Sequence, residues 1–312
     1  EAEVRGKRTI LRAANGVRRG LVRVLRHGAP KVAIVSCDRW RGRVTDDLLL
    51  QGEFLRKGMN AEIASWQDAK VKWGNFDVGS MWGYQNFLEE FEKWLGMVGK
   101  ETVLVNPVKV IRENYNKAEQ FRALERAGVP TIKTQGVGVG GLDKFMLPES
   151  EFVIKPAVSG SGENTFLVKD KSDFEDVKGK LKVLNKTREL LVQPFVPEIR
   201  SGELGVVMIG GEVANVVRRF PGVFEGGYRV EAVAEVSREV KELVQKVVKM
   251  PEYLEATYLR IDVVEREGGP VVMEVEAFEP QLYYYLLEGE EREKMLARMV
   301  EEVSCAIRGR VI

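Results

Sequence analysis

The sequence predicts a mixed architecture, a parallel α/β start followed by a longer α+β half, and three observations carry that expectation. Between residues 31 and 106, short apolar runs alternate with helical patterns, as in strands joined by crossover helices. Between Glu151 and Val168, two β-like runs flank a loop of glycine and serine. At 259–278 a hairpin pattern places acids on one face of adjacent strands. The 312 residues suit two or three domains of roughly 100–150 residues each. Their expected limits are 1–29, a basic N-terminal extension; 30–107, an α/β domain; 108–192, a small α+β region with the glycine-rich loop; and 193–312, a second α+β region with the acids.

Each element follows from local pattern. Lys31 to Cys37 (KVAIVSC) reads as a buried strand, and a helix pattern from Thr45 to Lys57 is closed by Gly58. NAEIASW (60–66), VGSM (78–81), a helix from Gln85 to Leu95 and TVLVN (102–106) complete a parallel sheet. Functional loops of such a sheet lie at the carboxyl ends of its strands. Those loops carry Asp38, Arg39 and Arg41 after the first strand, and Trp82 and Tyr84 after the third. The arginines suit a substrate carboxylate and the aromatics an apolar wall. Asn116 is placed to cap the helix KAEQFRALERAG, which Gly128 and Pro130 end. GVGVGG (136–141) lacks the helix and ribose acid of a dinucleotide fingerprint and reads as a flexible connector. DKSDFEDVKGKL (170–181) and SREVKELVQKVV (237–248) read as helices. ELLVQPFV, ELGVVMIGGEVANVVRR and YLRIDVVEREGGPVVMEVEAF read as strands and hairpins, and Glu290 to Ile307 as a closing helix.

Composition narrows the function. A net charge of +1 supplies no field for nucleic acid or a membrane surface, and no apolar run approaches the roughly 20 residues of a membrane span. Two distant cysteines, Cys37 and Cys305, point to a reduced, cytoplasmic setting. With a single histidine they leave little for zinc, so any metal should sit on carboxylates, which favours magnesium. The first thirty residues differ: Arg5, Lys7, Arg8, Arg12, Arg18, Arg19, Arg23 and Arg26 stand against only Glu1 and Glu3. They read as a helix with a solvated basic face, with a transit peptide or a basic arm as alternatives. The start at Glu1 instead of Met leaves room for residues upstream.

Two segments carry chemistry. In FVIKPAVSGSGENTFLV, Lys155 precedes Ser159, Gly160, Ser161 and Gly162, whose small residues let backbone N–H groups approach phosphate oxygens. A strand follows the loop, which excludes the strand–loop–helix geometry of a Walker-type site. In the 259–278 hairpin, a turn centred on Gly268 pairs residues whose numbers sum to 536, so Asp262 faces Glu274 and Arg260 faces Glu276. Ile261, Val263, Met273 and Val275 then point to the core. Opposed acids destabilise a sheet unless a cation joins them. Arg260 is expected to serve Glu276, leaving Asp262 and Glu274 for a magnesium ion bridging to phosphate.

Together these segments resemble the ATP-grasp superfamily of carboxylate–amine ligases over about residues 100–310, with the α/β start resembling the family's N-terminal substrate domain. The pattern is most similar to glutathione synthetase, ribosomal-protein glutamate ligases and the ligase that cyclises the cycloserine precursor. The resemblance implies an ATP-grasp fold in which two α+β subdomains clasp ATP, with magnesium or manganese as cofactor. It assigns Lys117 and Lys155 to the phosphates, with Ser159, Gly160, Ser161 and Gly162 as their loop. Gln193, Pro194, Phe195 and Val196 match the adenine hinge, and Glu203 the ribose acceptor. Asp262, Glu274 and Glu276 match the metal ligands, and Arg219 and Arg229 the groups that hold the γ-phosphate and acyl phosphate. Glu276 departs from the asparagine usual at the last metal position, and Gly205 lacks a side chain that relatives often carry there. The implied partners are a small-molecule carboxylate and an amine, of amino-acid or peptide type. Intramolecular ring closure is included, as is a homodimer. A small-molecule kinase and a non-catalytic nucleotide-binding regulator are the alternatives.

Overall fold

The computed structural model describes residues 29–76, 78–80, 88–159, 162, 164–182, 189–220 and 228–308. The basic extension up to residue 28, and Trp82, Tyr84, Gly160 and Ser161, lie outside the described residues.

The first sheet is parallel. Strands β1 (Lys31–Ser36), β2 (Asn60–Ser65), β3 (Val78–Ser80) and β4 (Val103–Leu104) lie in the order β2-β1-β3-β4. Strand β1 is buried on both faces, which its unbroken apolar run foretells. Its Val32 and Ile34 join one apolar cluster, and Ala33 and Val35 another. Helix α1 (Thr45–Arg56) covers the first side through Leu50 and Phe54. Helix α2 (Leu88–Glu101) covers the second through Phe91, Trp94, Leu95 and Val98. It runs past the expected end at Leu95 because that stripe continues beyond Gly96 and Gly99. A Cβ on Gly99 would stand 2.6 Å from the Val108 side chain, so close approach, and not helix termination, explains this glycine. Strand β4 is correspondingly shorter than the expected 102–106. A short helix α3 (Val108–Asn114), not anticipated from pattern, leads into α4 (Lys117–Arg126). The Asn116 side chain caps α4 by accepting from the Ala118 N–H.

The second sheet is antiparallel and small. It comprises β5 (Gln135–Gly138), β6 (Phe152–Pro156), β7 (Phe166–Val168) and β8 (Glu189–Pro194) in the order β5-β8-β6-β7. With α5 (Lys171–Leu181) it encloses its own core of Phe152, Ile154, Val168, Phe174, Leu190 and Val192. The expected connector at 136–141 is therefore partly an edge strand, followed by a 3₁₀ turn over Val139–Lys144. Ladder hydrogen bonds need only backbone, and Val137 and Val139 anchor this glycine-rich stretch to the small core.

The third sheet joins β9 (Glu203–Ile209), β10 (Glu212–Phe220), β11 (Arg229–Ala232), β12 (Tyr258–Val264) and β13 (Val271–Glu276) in the order β11-β10-β9-β12-β13. One face is largely apolar and packs on α4 and α6 (Arg238–Val248). The other changes character along the strands. At one end Val207, Ile209, Val217 and Tyr258 pack beneath α1 and α7 (Gly289–Arg308). Strand alternation then brings Glu203, Arg219, Arg260, Asp262, Glu274 and Glu276 to the same side.

The sum-to-536 register holds at Arg260–Glu276, Ile261–Val275 and Asp262–Glu274, and then slips, so that Val263 faces Val272. The irregularity turns Met273 out of the main core. It packs instead with Ile132, Val196, Val264 and Val271, an apolar patch just beyond the acids.

Two polar side chains of the first region hold the third sheet. The buried Asp46 carboxylate, in the first turn of α1, accepts from the N–H groups of Leu282 (3.2 Å), Tyr283 (2.7 Å) and Tyr285 (3.3 Å). Burial raises its pKa, and these N–H groups offset only part of that rise. Asn106 donates to Tyr258 O (2.7 Å) and Ala277 O (2.6 Å) and accepts from Thr257 N (2.5 Å).

Candidate active site

The charged face of the third sheet looks toward β6, and the two together form the candidate site. Lys155, on β6, is within electrostatic reach of Glu274, Lys117, Glu203 and Asp262. Its ammonium makes no ion pair or hydrogen bond among the described residues. Burial, the largest influence, and neighbouring Lys117 outweigh Glu274 and hold its pKa below the ordinary lysine value. Lys117, in the first turn of α4, anchors its own N–H on Ala157 O (2.9 Å). Its ammonium donates to Ser159 O and pairs with Glu274 at 3.1 Å. Burial would depress it, but Glu274 and Glu276 prevail and its pKa is raised. Gly162, on the loop, adopts φ +71°, the left-handed region that glycine enters freely.

Asp262 is the hub. Arg260 grips it with two donors, Nε at 2.7 Å and Nη2 at 3.1 Å, and Arg219 Nη2 adds a contact at 2.5 Å. Burial would raise its pKa, but the two guanidinium groups hold it below the usual carboxylate value. Arg260 therefore serves Asp262, not Glu276 as expected. A two-residue step along one strand face brings the guanidinium back onto its own strand's acid. Glu276 instead accepts from the N–H groups of Phe278 and Glu279, both at 3.1 Å. Burial first, and Glu274 next, raise its pKa. Glu274, expected to lack a cation, has Lys117. Arg260 is thus a member that sequence reasoning undervalued; its place two residues before Asp262 was the available signal.

Arg219 also pairs with its cross-strand neighbour Glu203 at 2.6 Å. Its Nε is buried with no hydrogen-bond partner among the described residues. Arg229 does not join this network. Its side chain, 61% exposed, pairs with Glu231 at 3.0 Å and stacks on Phe220. Arg229→Ala is therefore expected to change turnover by less than about threefold, since exposed pairs contribute about 0–1 kcal/mol. A larger loss in steady-state assays would show that Arg229 reaches the site. Its neighbour Tyr228 does approach, with its hydroxyl 3.1 Å from that of Tyr283.

Gly205 leaves room for the guanidinium groups. A Cβ there would stand 3.1 Å from Val217 Cγ2, 3.2 Å from Arg260 Cδ and 3.6 Å from Arg219 Nε. Gly205→Ala should shift Arg260, lower stability by about 1–3 kcal/mol and slow turnover about tenfold. Wild-type turnover in this variant would refute that crowding.

At the expected hinge, β8 ends at Pro194, the Gln193 amide donates to Thr134 Oγ1 at 2.8 Å, and Phe195 N donates to Glu151 O at 3.0 Å. Buried Val196 and half-buried Met273 give this end an apolar lining beside the acids. On the first sheet, Arg41 pairs with Asp68 at 3.4 Å and Arg39 lies over the Trp40 ring. Neither has a contact with the acid cluster among the described residues. A separate cavity of about 710 Å³ lies between the loop after β2 and α2, walled by Trp66, Trp73 and Trp94, and does not touch the cluster.

Asp262, Glu274 and Glu276 supply hard oxygens of the kind magnesium takes, on one sheet face. Among the described residues no three or more such side chains already converge as a metal site. The reason is visible in the pairing: arginines claim Asp262 and Lys117 claims Glu274. The donor chemistry fits the ion, and three cations already neutralise the place it would take.

Comparisons with known proteins cover both halves. Residues 32–106 match the family model of the D-cycloserine synthetase DcsG N-terminal domain, and residues 129–263 that of the prokaryotic glutathione synthetase ATP-grasp domain. The cycloserine biosynthesis protein DcsG of Streptomyces lavendulae is 24% identical over 249 residues, 72% of this chain and 83% of that protein. The crystal structure of D-cycloserine synthetase DcsG superposes with a TM-score of 0.76 at 20% identity, covering 88% of this chain and 99% of that one. A D-alanine–D-alanine ligase from Bacillus anthracis, solved with ATP, gives 0.64 at 14% identity, covering 90% and 99%. The ATP-grasp ligase PsnB, solved with magnesium and ADP, gives 0.61 at 13%, covering 87% and 98%. At these identities the structural likeness is one of fold. Among the described residues no helix is long and apolar enough to cross a membrane.

Proposed function

We propose that the chain is a ligase of the ATP-grasp superfamily and that it couples ATP cleavage to carboxylate–amine ligation through an acyl phosphate, with magnesium held by Asp262, Glu274 and Glu276. One observation carries this reading. Two sheets and helix α4 bring Lys155, Lys117, the acids and Arg219 into a single electrostatic cluster.

Lys117 and Lys155 would bind the phosphates, and the loop from Ser159 to Gly162 would cover them with backbone N–H groups. The apolar patch around Val196 and Met273 would take the adenine face, and Glu203 the ribose hydroxyls. Bound magnesium would offset phosphate charge during transfer. A substrate carboxylate oxygen attacks the γ-phosphorus, the bond to ADP breaks, and ADP leaves with the electron pair. Arg219 and Arg260 face the charge that develops on the transferring group. An amine nitrogen then attacks the acyl carbon, the C–N bond forms, phosphate departs, and the amine proton passes to solvent. Closure of the glycine loop would keep water from the acyl phosphate.

Amino-acid-type substrates, and ring closure within one molecule, are the reactions to test first, a choice supported by the likeness to a D-cycloserine synthetase. The deciding assay measures ADP and phosphate release across a panel of amino acids and small peptides, with product mass as a second readout. Acceptor-dependent ADP release with a product that has lost one water supports ligation. A stable phosphorylated product without ligation would replace it with kinase chemistry.

A further inference from the structure

Strand β13 is the edge of the third sheet, yet its outward backbone groups around Glu274 and Glu276 are met by neither solvent nor another strand. Three buried side-chain amides meet them. Gln120, on α4, accepts from Val275 N at 2.8 Å and donates to Val275 O at 2.6 Å. This two-bond ring imitates the hydrogen-bonded pair of an antiparallel ladder. Asn114 donates to the same Val275 O at 2.8 Å and accepts from Ala277 N at 2.7 Å. Asn106 closes the series on Ala277 O at 2.6 Å. All three are 3% exposed or less.

Val275 lies between two of the acids, and Gln120 lies one turn beyond Lys117 on the same helix. A single helix face therefore grips the Val275 backbone through Gln120 and the Glu274 carboxylate through Lys117. An apolar side chain could fill the space at 120. A buried amide is tolerated only when its donors and acceptor are met, so it accepts one register of strand against helix and rejects a slipped one. We propose that Gln120, supported by Asn114, is a positioning residue that fixes where the Glu274 and Glu276 carboxylates stand for the divalent ion. This inference rests on the reading of those acids as the ion's ligands.

The test uses Gln120→Met, similar in size but unable to form either bond, and Leu181→Ala in the separate small core as a matched stability control. Manganese binding is followed by electron paramagnetic resonance with a non-hydrolysable ATP analogue, and nucleotide binding is measured again in EDTA. Gln120→Met should weaken manganese binding about 10–100-fold, the range for losing a group that orients a metal ligand. Nucleotide affinity in EDTA should stay within about twofold of wild type, and Leu181→Ala should leave the manganese signal unchanged. The Gln120 effect should also vanish when Glu274→Gln is already present. Unchanged manganese binding in Gln120→Met, an equal loss in Leu181→Ala, or full additivity with Glu274→Gln would each overturn the inference. If Gln120→Met does not fold, Gln120→Asn, which keeps the amide but withdraws it, carries the same comparison. Wild-type protein that binds no manganese with nucleotide would sink the reading of the acids themselves. Normal wild-type binding with an unaffected variant sinks the positioning role alone.

Discussion

Asp262→Asn is expected to slow ATP turnover by about 10³-fold or more and to cost about 3–5 kcal/mol of stability. The carboxylate is 2% exposed and meets two guanidinium groups that are themselves 9% and 13% exposed. Asparagine keeps the shape but leaves two buried cations against a neutral group. The acidity of Asp262 adds a signature. Despite its burial, Arg219 and Arg260 hold its folded pKa below the unfolded one. Its contribution is therefore fully present above the unfolded value, about 3.9, and is lost as pH falls through the depressed folded value. Denaturant melts of wild type and variant should differ most near neutrality and converge in strong acid. A variant with wild-type turnover, or a stability gap independent of pH, would contradict the hub role.

Lys155→Met should have the opposite effect on stability and an equally severe effect on activity. The Lys155 ammonium has no hydrogen-bond or ion-pair partner among the described residues, and burial with Lys117 nearby disfavours its charge. Methionine removes that unfavourable charge and retains the apolar stem, so the melting temperature should rise by about 2 °C or more. Nucleotide affinity should fall about 10²-fold, because the variant removes a cation that the proposed site directs at the phosphates. Calorimetric titration of ATP and a thermal melt on the same sample check both parts. A destabilised variant would mean that Lys155 has a structural partner, and unimpaired ATP binding would remove it from the phosphate site.

Much of this arrangement was legible in the sequence, and the reasons differ by element. The Asp262–Glu274 pairing followed from counting outward from Gly268, although the pairs nearer the turn, Val263–Val272 and Val264–Val271, follow a different count. The same count failed at Met273, where a backbone irregularity, invisible in side-chain pattern, shifts the register. The partners of the acids were harder. Lys117 reaches Glu274 from a helix 157 positions earlier in the chain, and Arg260 folds onto its own strand. Such choices depend on tertiary geometry and not on local spacing. The connector at 136–141 was misread because glycine hides strand propensity. The amides at 106, 114 and 120 gave no signal at all, since buried asparagine and glutamine look like surface residues until their partners are placed.

The attachment of Asp46 and Asn106 to the distant backbone at 257–285 has a consequence for inheritance and engineering. A break near residue 107 would strand buried N–H groups at Thr257, Leu282, Tyr283 and Tyr285. The leading α/β segment is therefore not an exchangeable module. A chimera that imports a foreign one must bring an acid and an amide at equivalent places, and chimeras lacking them should accumulate as insoluble protein.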